Sequence, residues 1–297
     1  MNQVVNIEFP NEIVLFVKRE DLLHPQISGN KFRKLKYNLQ EAKNQGFSKL
    51  LTFGGAFSNH IAATAAAGNE FGFHTIGVIR GEELVDKIDQ NATLSLAKEN
   101  GMQFEFVSRE CYRQKETTEF IEKISEKYGK VFVLPEGGTN ELAVKGCEEI
   151  LTASDADFTH VCCAVGTGGT VSGIINSLHP NQKAIGFAVL KGDFLSQDIC
   201  RFAKNGRWFL NNDYHFGGYA KINEELVRFL NDFHKQTGIP LDPVYTGKMF
   251  FGILDLIKKD YFKKGSKILA IHTGGLQGIR GMNEVLKKKG LPIIDYI

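Results

Sequence analysis

Seven short apolar runs recur along the chain, most of them closing on glycine and each followed by a helical pattern: KLLTFGG, FHTIGVIRG, QFEFVS, KVFVLPEGG, THVCCAVG, KAIGFAVL and KILAIHTGG. This alternation predicts an α/β protein with largely parallel sheets flanked by helices. Seven runs are more than one small sheet needs, and the glycine-ended ones fall in separated parts of the chain. Two lobes with a cleft between them follow. Ligands in such folds sit beyond the carboxyl ends of the strands, which directs attention to the loops after TFGG, CCAVG and AIHTGG. Between two runs, ELVDKIDQNATLSLAKENG reads as one amphipathic helix with Gly101 as the glycine that closes it.

With 297 residues, 42% of them hydrophobic, the chain can bury a sizeable core. Its formal charge of +2 gives no broad electrostatic reason to expect nucleic acid or an anionic membrane as partner. Small-molecule chemistry is the expectation. The N-terminus lacks a basic segment followed by an apolar one, and no stretch approaches the roughly 18 apolar residues of a spanning helix. A cytoplasmic location follows. The five cysteines, Cys111, Cys147, Cys162, Cys163 and Cys200, show no CxxC spacing, so no metal site is expected, and Cys162 and Cys163 read as reduced core residues of a strand.

The stretch SGNKFRKL, residues 28–35, opens a helix. Placing residues 31–43 at about 100° per residue sets Phe32, Leu35, Leu39 and Ala42 on one stripe, with Lys31 at its border and Arg33 opposite. Asn30 or Ser28 is the expected cap. Lys31 then lies in the first turn, where desolvation and the positive end of the helix dipole both disfavour an ammonium. A neutral amine is what a Schiff base requires. The competing reading is a solvated basic face of Lys31, Arg33, Lys34 and Lys36, and helix geometry alone leaves both open.

In THVCCAVGTGGTVSGIINSL, the set Gly166, Thr167, Gly168, Gly169 and Thr170 joins a strand to a helix. Such a loop turns backbone N–H groups and two hydroxyls toward one point, a phosphate cradle. It is no dinucleotide fingerprint, since GxGxxG would require glycine where Val171 stands. In TFGGAFSNHIAATAAAG, residues Ser58, Asn59 and His60 fall at a helix start, where they can hold a carboxylate or a ring hydroxyl. The alternative is an N-cap serine followed by two solvated residues. Near the C-terminus, LDPVYTGKMFFG and ILAIHTGG offer Tyr245, Thr246, His272 and Thr273, which are equally readable as packing and strand-end residues.

Taken in order, SGNKFRKL, GGAFSNH, VGTGGT, DPVYTGK and IHTGG resemble the pyridoxal-phosphate enzymes containing 1-aminocyclopropane-1-carboxylate (ACC) deaminase and D-cysteine desulfhydrase, of the tryptophan synthase β-like fold. The likeness runs from about Val17 to Gly275. It implies that Lys31 carries pyridoxal 5′-phosphate as a Schiff base, that Asn59 bonds the cofactor's ring hydroxyl, and that Ser58 binds the substrate carboxylate. Gly166 through Thr170 would hold the phosphate, Tyr245 would stand beside the substrate, and Thr246 and Thr273 near the pyridine ring. A large lobe of residues 1–40 and 145–297, an inserted small lobe of 41–144, and a homodimer are also implied.

Within that family, ACC deaminases typically read PVYEG and HLGG, whereas D-cysteine desulfhydrases carry small hydroxylated residues at both variable positions. Here these are Thr246 and Thr273. A glutamate beside the pyridine nitrogen would favour its protonation, while a threonine can only hydrogen-bond. The expected activity is therefore D-cysteine desulfhydrase, acting on a small amino acid, with ACC deamination as the alternative. The chain departs from the family pattern at Phe57, where relatives often have glutamine, and in TGGLQG, where TGGAPAL is common. Outside the family the competing classes are a cofactor-free nucleotide-binding or oxidoreductase domain and a cofactor-binding protein without catalysis.

Overall fold

In the computed structural model, which describes residues 1–192 and 194–296, each of the seven runs is a strand. In chain order the strands are β1 (Asn2–Val4), β2 (Val14–Lys18), β3 (Lys49–Gly54), β4 (His74–Arg80), β5 (Gln103–Val107), β6 (Phe132–Leu134), β7 (His160–Val165), β8 (Lys183–Ala188), β9 (Trp208–Asn211) and β10 (Lys267–Ile271). They form a six-stranded sheet ordered β1-β2-β10-β7-β8-β9 and a four-stranded sheet ordered β5-β4-β3-β6. Every pairing is parallel except β1 with β2. The α/β class with parallel sheets flanked by helices is thus what the chain adopts.

Strands β7 and β8 show why these runs read as continuous apolar segments. Cys162, Ala164, Ile185 and Phe187 enter one core, and Val161, Cys163, Val165 and Ala184 enter the core on the opposite face. The period-2 alternation is there, but both sides are covered. Cys162 and Cys163 are fully buried free thiols pointing into the two different cores. Truncating Phe187, which is 1% exposed, to alanine would cost about 3–5 kcal/mol.

Two local expectations are corrected. The stretch ELVDKIDQNATLSLAKENG is not one helix: a 3₁₀ segment Glu82–Gln90 gives way to an α-helix Ala92–Glu99. Asn91 leaves the helical region at φ −109°, ψ 112°, and its carbonyl accepts the N–H groups of Thr93 and Leu94, starting a new helix. The helix Asn30–Asn44 is capped by neither Ser28 nor Asn30: Gly29 occupies the cap position, and the Asn30 side chain reaches across to Thr170. Its buried stripe of Leu35, Leu39 and Ala42 is as the spacing predicts. No helix among the described residues is long and apolar enough to cross a membrane.

Candidate active site

The cleft forms where the ends of β3, β7 and β10 meet the start of the helix Asn30–Asn44. Gly29 makes that meeting possible. At φ +62°, a Cβ there would lie 2.0 Å from the Thr273 carbonyl oxygen, so only glycine lets the two segments touch. The Asn30 N–H then donates to Thr273 O (3.3 Å), and its side chain donates to Thr170 Oγ1 (2.7 Å). The helix start is tied to two strand-end loops at once. Behind it, Arg33 forms a two-pronged bond with the buried Glu20.

The four basic residues of this helix divide into two pairs. Arg33 and Lys36 face away from the cleft, Arg33 to the buried Glu20 and Lys36 to Glu149 at the surface. Lys31 and Lys34 turn into the cleft. Burial, reinforced by the charge of Lys34, lowers the Lys31 amine from 10.5 to about 7, so half of it is neutral near neutral pH. Burial also lowers Lys34. Its amine donates to Gly137 O and Thr139 Oγ1, both at 2.9 Å, and lies 3.4 Å from Thr167 Oγ1.

The glycine loop lies against this ammonium. Gly168 holds φ +78° as the helix cap, and a Cβ on Gly169 would come within 2.9 Å of the Thr139 side chain and 3.3 Å of the Lys34 amine. A Cβ on Gly166 would press to 3.0 Å on the Tyr245 ring. Each glycine therefore answers a different constraint. Ser172 is the first residue to bond back along the helix, to Gly168 O at 3.0 Å, and the amides before it are the free N–H groups of a helix start. Free amides, two hydroxyls and a buried cation suit a phosphate.

Ser58 caps the helix Asn59–Phe71, its oxygen accepting the Ile61 N–H at 3.3 Å, which leaves the hydroxyl proton free for the cleft. The bland reading of this tripeptide ends there, because His60 is only 1% exposed. Thr52 donates to Leu134 O (3.1 Å), so His60 Nε2, 2.8 Å from the Thr52 oxygen, is the protonated ring nitrogen. His60 Nδ1 is left buried without a partner. Burial, with Lys31 and Lys34 nearby, keeps the ring neutral. Asn59, which lines the cleft, is oriented by a residue sequence reasoning passed over: Gln277 donates to its side-chain carbonyl at 3.0 Å, leaving the amide N–H₂ on the side of Gly275.

Tyr245 lines the cleft, and burial raises its phenol well above 10, so it stays protonated. Tyr219, also unforeseen, stands edge-on to it at 6.1 Å between ring centroids. Thr273 lines the cleft as well, whereas Thr246 does not: fully buried, its hydroxyl donates to Asp242 Oδ1 (2.7 Å) and accepts the Asp242 N–H (2.9 Å). It is part of the turn that starts the helix Thr246–Lys258. His272 is structural too, bonded to Pro240 O. Of the residues picked from sequence, Lys31, Ser58, Asn59, Gly166, Thr167, Gly168, Thr170, Tyr245 and Thr273 share one cleft, with Gly169 packed behind its loop. Lys34 could have been found by helix spacing, one turn from Lys31; Tyr219, Thr139 and Gln277 reach the site only through the fold.

A phosphorylated aromatic aldehyde fits this donor set: an amine of depressed basicity, an anion cradle with a buried cation, an asparagine at the cleft wall with its amide N–H₂ uncommitted, and an orphaned histidine nitrogen. The sequence profile described as "Pyridoxal-phosphate dependent enzyme" matches residues 6–274. The chain belongs to this family. As a pyridoxal-phosphate dependent enzyme it is 32% identical over 287 residues to a Pyrococcus horikoshii protein named provisionally as a 1-aminocyclopropane-1-carboxylate deaminase, covering 89% of this chain and 85% of that one. It is 33% identical to the mitochondrial bifunctional D-cysteine desulfhydrase/1-aminocyclopropane-1-carboxylate deaminase of Arabidopsis thaliana, covering 91% and 74%. A crystal structure of an ACC deaminase homologue superposes with a TM-score of 0.85 at 31% identity, covering 97% of this chain and 93% of that one.

Proposed function

We propose that the enzyme is a D-cysteine desulfhydrase, converting D-cysteine and water to pyruvate, hydrogen sulfide and ammonia. The observation that carries this reading is the absence of an acid from the cleft: among the described residues lining it there is no carboxylate. The nearby Asp242 is saturated by the N–H groups of Val244, Tyr245 and Thr246 and the Thr246 hydroxyl, at 2.7–2.9 Å. A pyridine nitrogen without an acidic partner makes a weaker electron sink. That suffices when an α-proton is removed and a good leaving group departs from the β-carbon; opening the ring of ACC, which has no α-hydrogen, asks for more.

Bound pyridoxal phosphate supplies the electron sink that stabilises negative charge at the substrate's α-carbon. The chain's own groups do the rest. Lys34 and the Gly166–Thr170 loop would hold the cofactor's phosphate, and the Asn59 amide its ring hydroxyl. Lys31, with its pKa near 7 before the cofactor binds, presents a neutral amine to the aldehyde and later takes the α-proton as general base. The Ser58 hydroxyl donates to the substrate carboxylate, and Tyr245, protonated at all working pH, can donate to the departing sulfur. We include in the reading a lobe of residues 1–40 and 145–297 with 41–144 inserted, and a cytoplasmic homodimer, which light scattering would test.

The names of the relatives favour ACC deamination as the second reading. Product analysis separates the two: pyruvate and sulfide from D-cysteine carry the first, and 2-oxobutyrate from ACC at a higher kcat/KM overturns it.

A further inference from the structure

A second cavity adjoins the cleft and shares Asn59 and Tyr245 with it. It continues past them between the Tyr219–Ala220 segment and the turn that leads into the helix Gly278–Lys288. Its walls are hydrocarbon and aromatic, from Phe57, Ala220, Val244, Met282 and Val285. Of the polar atoms at its edge, Asp242 accepts four hydrogen bonds and the Asn59 carbonyl accepts from Gln277, which leaves the Asn59 amide and the Tyr219 and Tyr245 hydroxyls, the Asn59 and Tyr245 groups lying where the chamber meets the cleft. Room is kept by Gly275, where a Cβ would meet Asn59 Nδ2 at 2.8 Å, and by Gly281, where a Cβ would press to 3.2 Å on the Phe57 ring. Phe57 immediately precedes Ser58, so the chamber's outer wall and the cleft's serine belong to one loop.

Past the amide and phenol that it shares with the cleft, such a chamber has no charged group free to hold an ammonium or a carboxylate, and much to hold an apolar group. We propose that it is a subsite for an apolar substituent on the substrate's side chain, as in a thioether of D-cysteine carrying an S-alkyl or S-benzyl group. This rests on the reading of the Lys31 cleft as the place where an amino acid reacts. For R–S–CH₂–CH(NH₃⁺)–COO⁻, the α-proton passes to Lys31, and the Cβ–S bond breaks with its electron pair going to sulfur. The sulfur takes up a proton and leaves as R–SH, and one water hydrolyses the released aminoacrylate to pyruvate and ammonium. No oxidant or second substrate is needed, and R occupies the chamber while the amino-acid end stays at Lys31.

The test uses the purified holoenzyme and two amino acids without a β leaving group, alanine and phenylalanine, each in both enantiomers. Perturbation of the visible band of the bound cofactor gives their dissociation constants independently of any elimination. Burying a phenyl group should make phenylalanine bind about tenfold to a hundredfold tighter than alanine of the same hand. Val285→Trp, which fills the chamber from a half-buried helix position, should cancel that preference while leaving kcat/KM for D-cysteine within about twofold. Phe57→Ala, at a position 47% exposed and tolerant of truncation, should weaken phenylalanine several-fold and alanine little. Phenylalanine no tighter than alanine, or a preference unmoved by both variants, overturns the subsite. A preserved preference with no pyruvate formed from D-cysteine or S-benzyl-D-cysteine sinks the desulfhydrase reading and sustains the chamber, whereas binding of neither amino acid overturns both.

Discussion

The two ends of the cleft are built differently. At the Gly166–Thr170 end the polar side chains are cross-tied: Thr167 to Thr139 at 2.6 Å, Thr170 to Asn30, Lys34 to both Gly137 and Thr139, with glycines at the points of closest approach. At the Ser58–Tyr245 end a serine proton and an amide N–H₂ are free beside the Tyr245 phenol, and an apolar chamber opens behind them. The first end is preorganised for a group that never changes, the second for one that does. Departures from the family pattern at Phe57, Gln277 and Gly278 lie at the second end.

The largest effect is expected where the two ends meet. Lys31→Ala should lower turnover by about 10⁴-fold or more and abolish the visible band of the lysine-linked cofactor, with the far-UV spectrum unchanged. Turnover within tenfold of the parent would remove Lys31 from the chemistry and with it the idea that both ends serve one reaction.

Next comes a test of the phosphate end alone. Lys34→Met should weaken pyridoxal phosphate by about 10–100-fold, the range of a charge-assisted hydrogen bond, and should barely affect unphosphorylated pyridoxal. Equal losses for the two would mean that Lys34 does not distinguish the ends. The same variant carries a pH signature. Lys34 is the second cause of the low Lys31 pKa, so removing its charge should move the midpoint for imine formation with pyridoxal upward from about 7. In the unliganded parent, the lowered pKa means that the folded state sheds a proton the unfolded state keeps between about 7 and 10.5. Stability therefore rises with pH across that window. Lys31→Met should accordingly raise Tm at pH 6 and lose that advantage toward pH 10.

A smaller effect tests the open end. Gln277→Leu leaves the Asn59 carbonyl without its donor and frees the amide to flip. The cofactor band should shift, and kcat for D-cysteine should fall several-fold with KM nearly constant; Gln277→Glu, which offers no N–H₂, should behave like leucine. An unshifted band in both variants would confine Gln277 to packing.

The sequence was most readable where one segment carries its own explanation. The seven runs became strands because each is a contiguous apolar segment, the interior ones covered on both faces, whereas β1, β2 and β9 passed unread. β1 and β9 are short edge strands with no closing glycine, and β2, although interior, ends on Lys18 without the glycine that marks most of the others. The cleft followed the same rule. Lys31 and the glycine loop are local motifs, but Thr139, Tyr219 and Gln277 reach the site from turns whose local sequence says nothing about distance. Capping misled for a related reason: Asn30 looked like a helix cap because its chemistry suits one, yet Thr170, 140 residues away, is the partner it has.

Thr246 gives the finest comparison, because a single hydroxyl is claimed by both descriptions. The family resemblance puts it near the pyridine ring, and the fold puts it in the Asp242 turn at the start of the helix Thr246–Lys258. Thr246→Val preserves shape and removes both hydrogen bonds, leaving a buried carboxylate short of one donor and a backbone N–H without its acceptor. The expected cost is about 1–3 kcal/mol in urea unfolding, with the cofactor's absorption and the kcat for D-cysteine unchanged to within about twofold. Thr246→Ser, which keeps the hydroxyl, should recover most of the stability. A band that moves in the valine variant and returns in serine would instead put this hydroxyl on the ring, so that the bound enzyme must break the Asp242 turn to use it. The division between a fixed end and an adaptable one would then run through the turn itself.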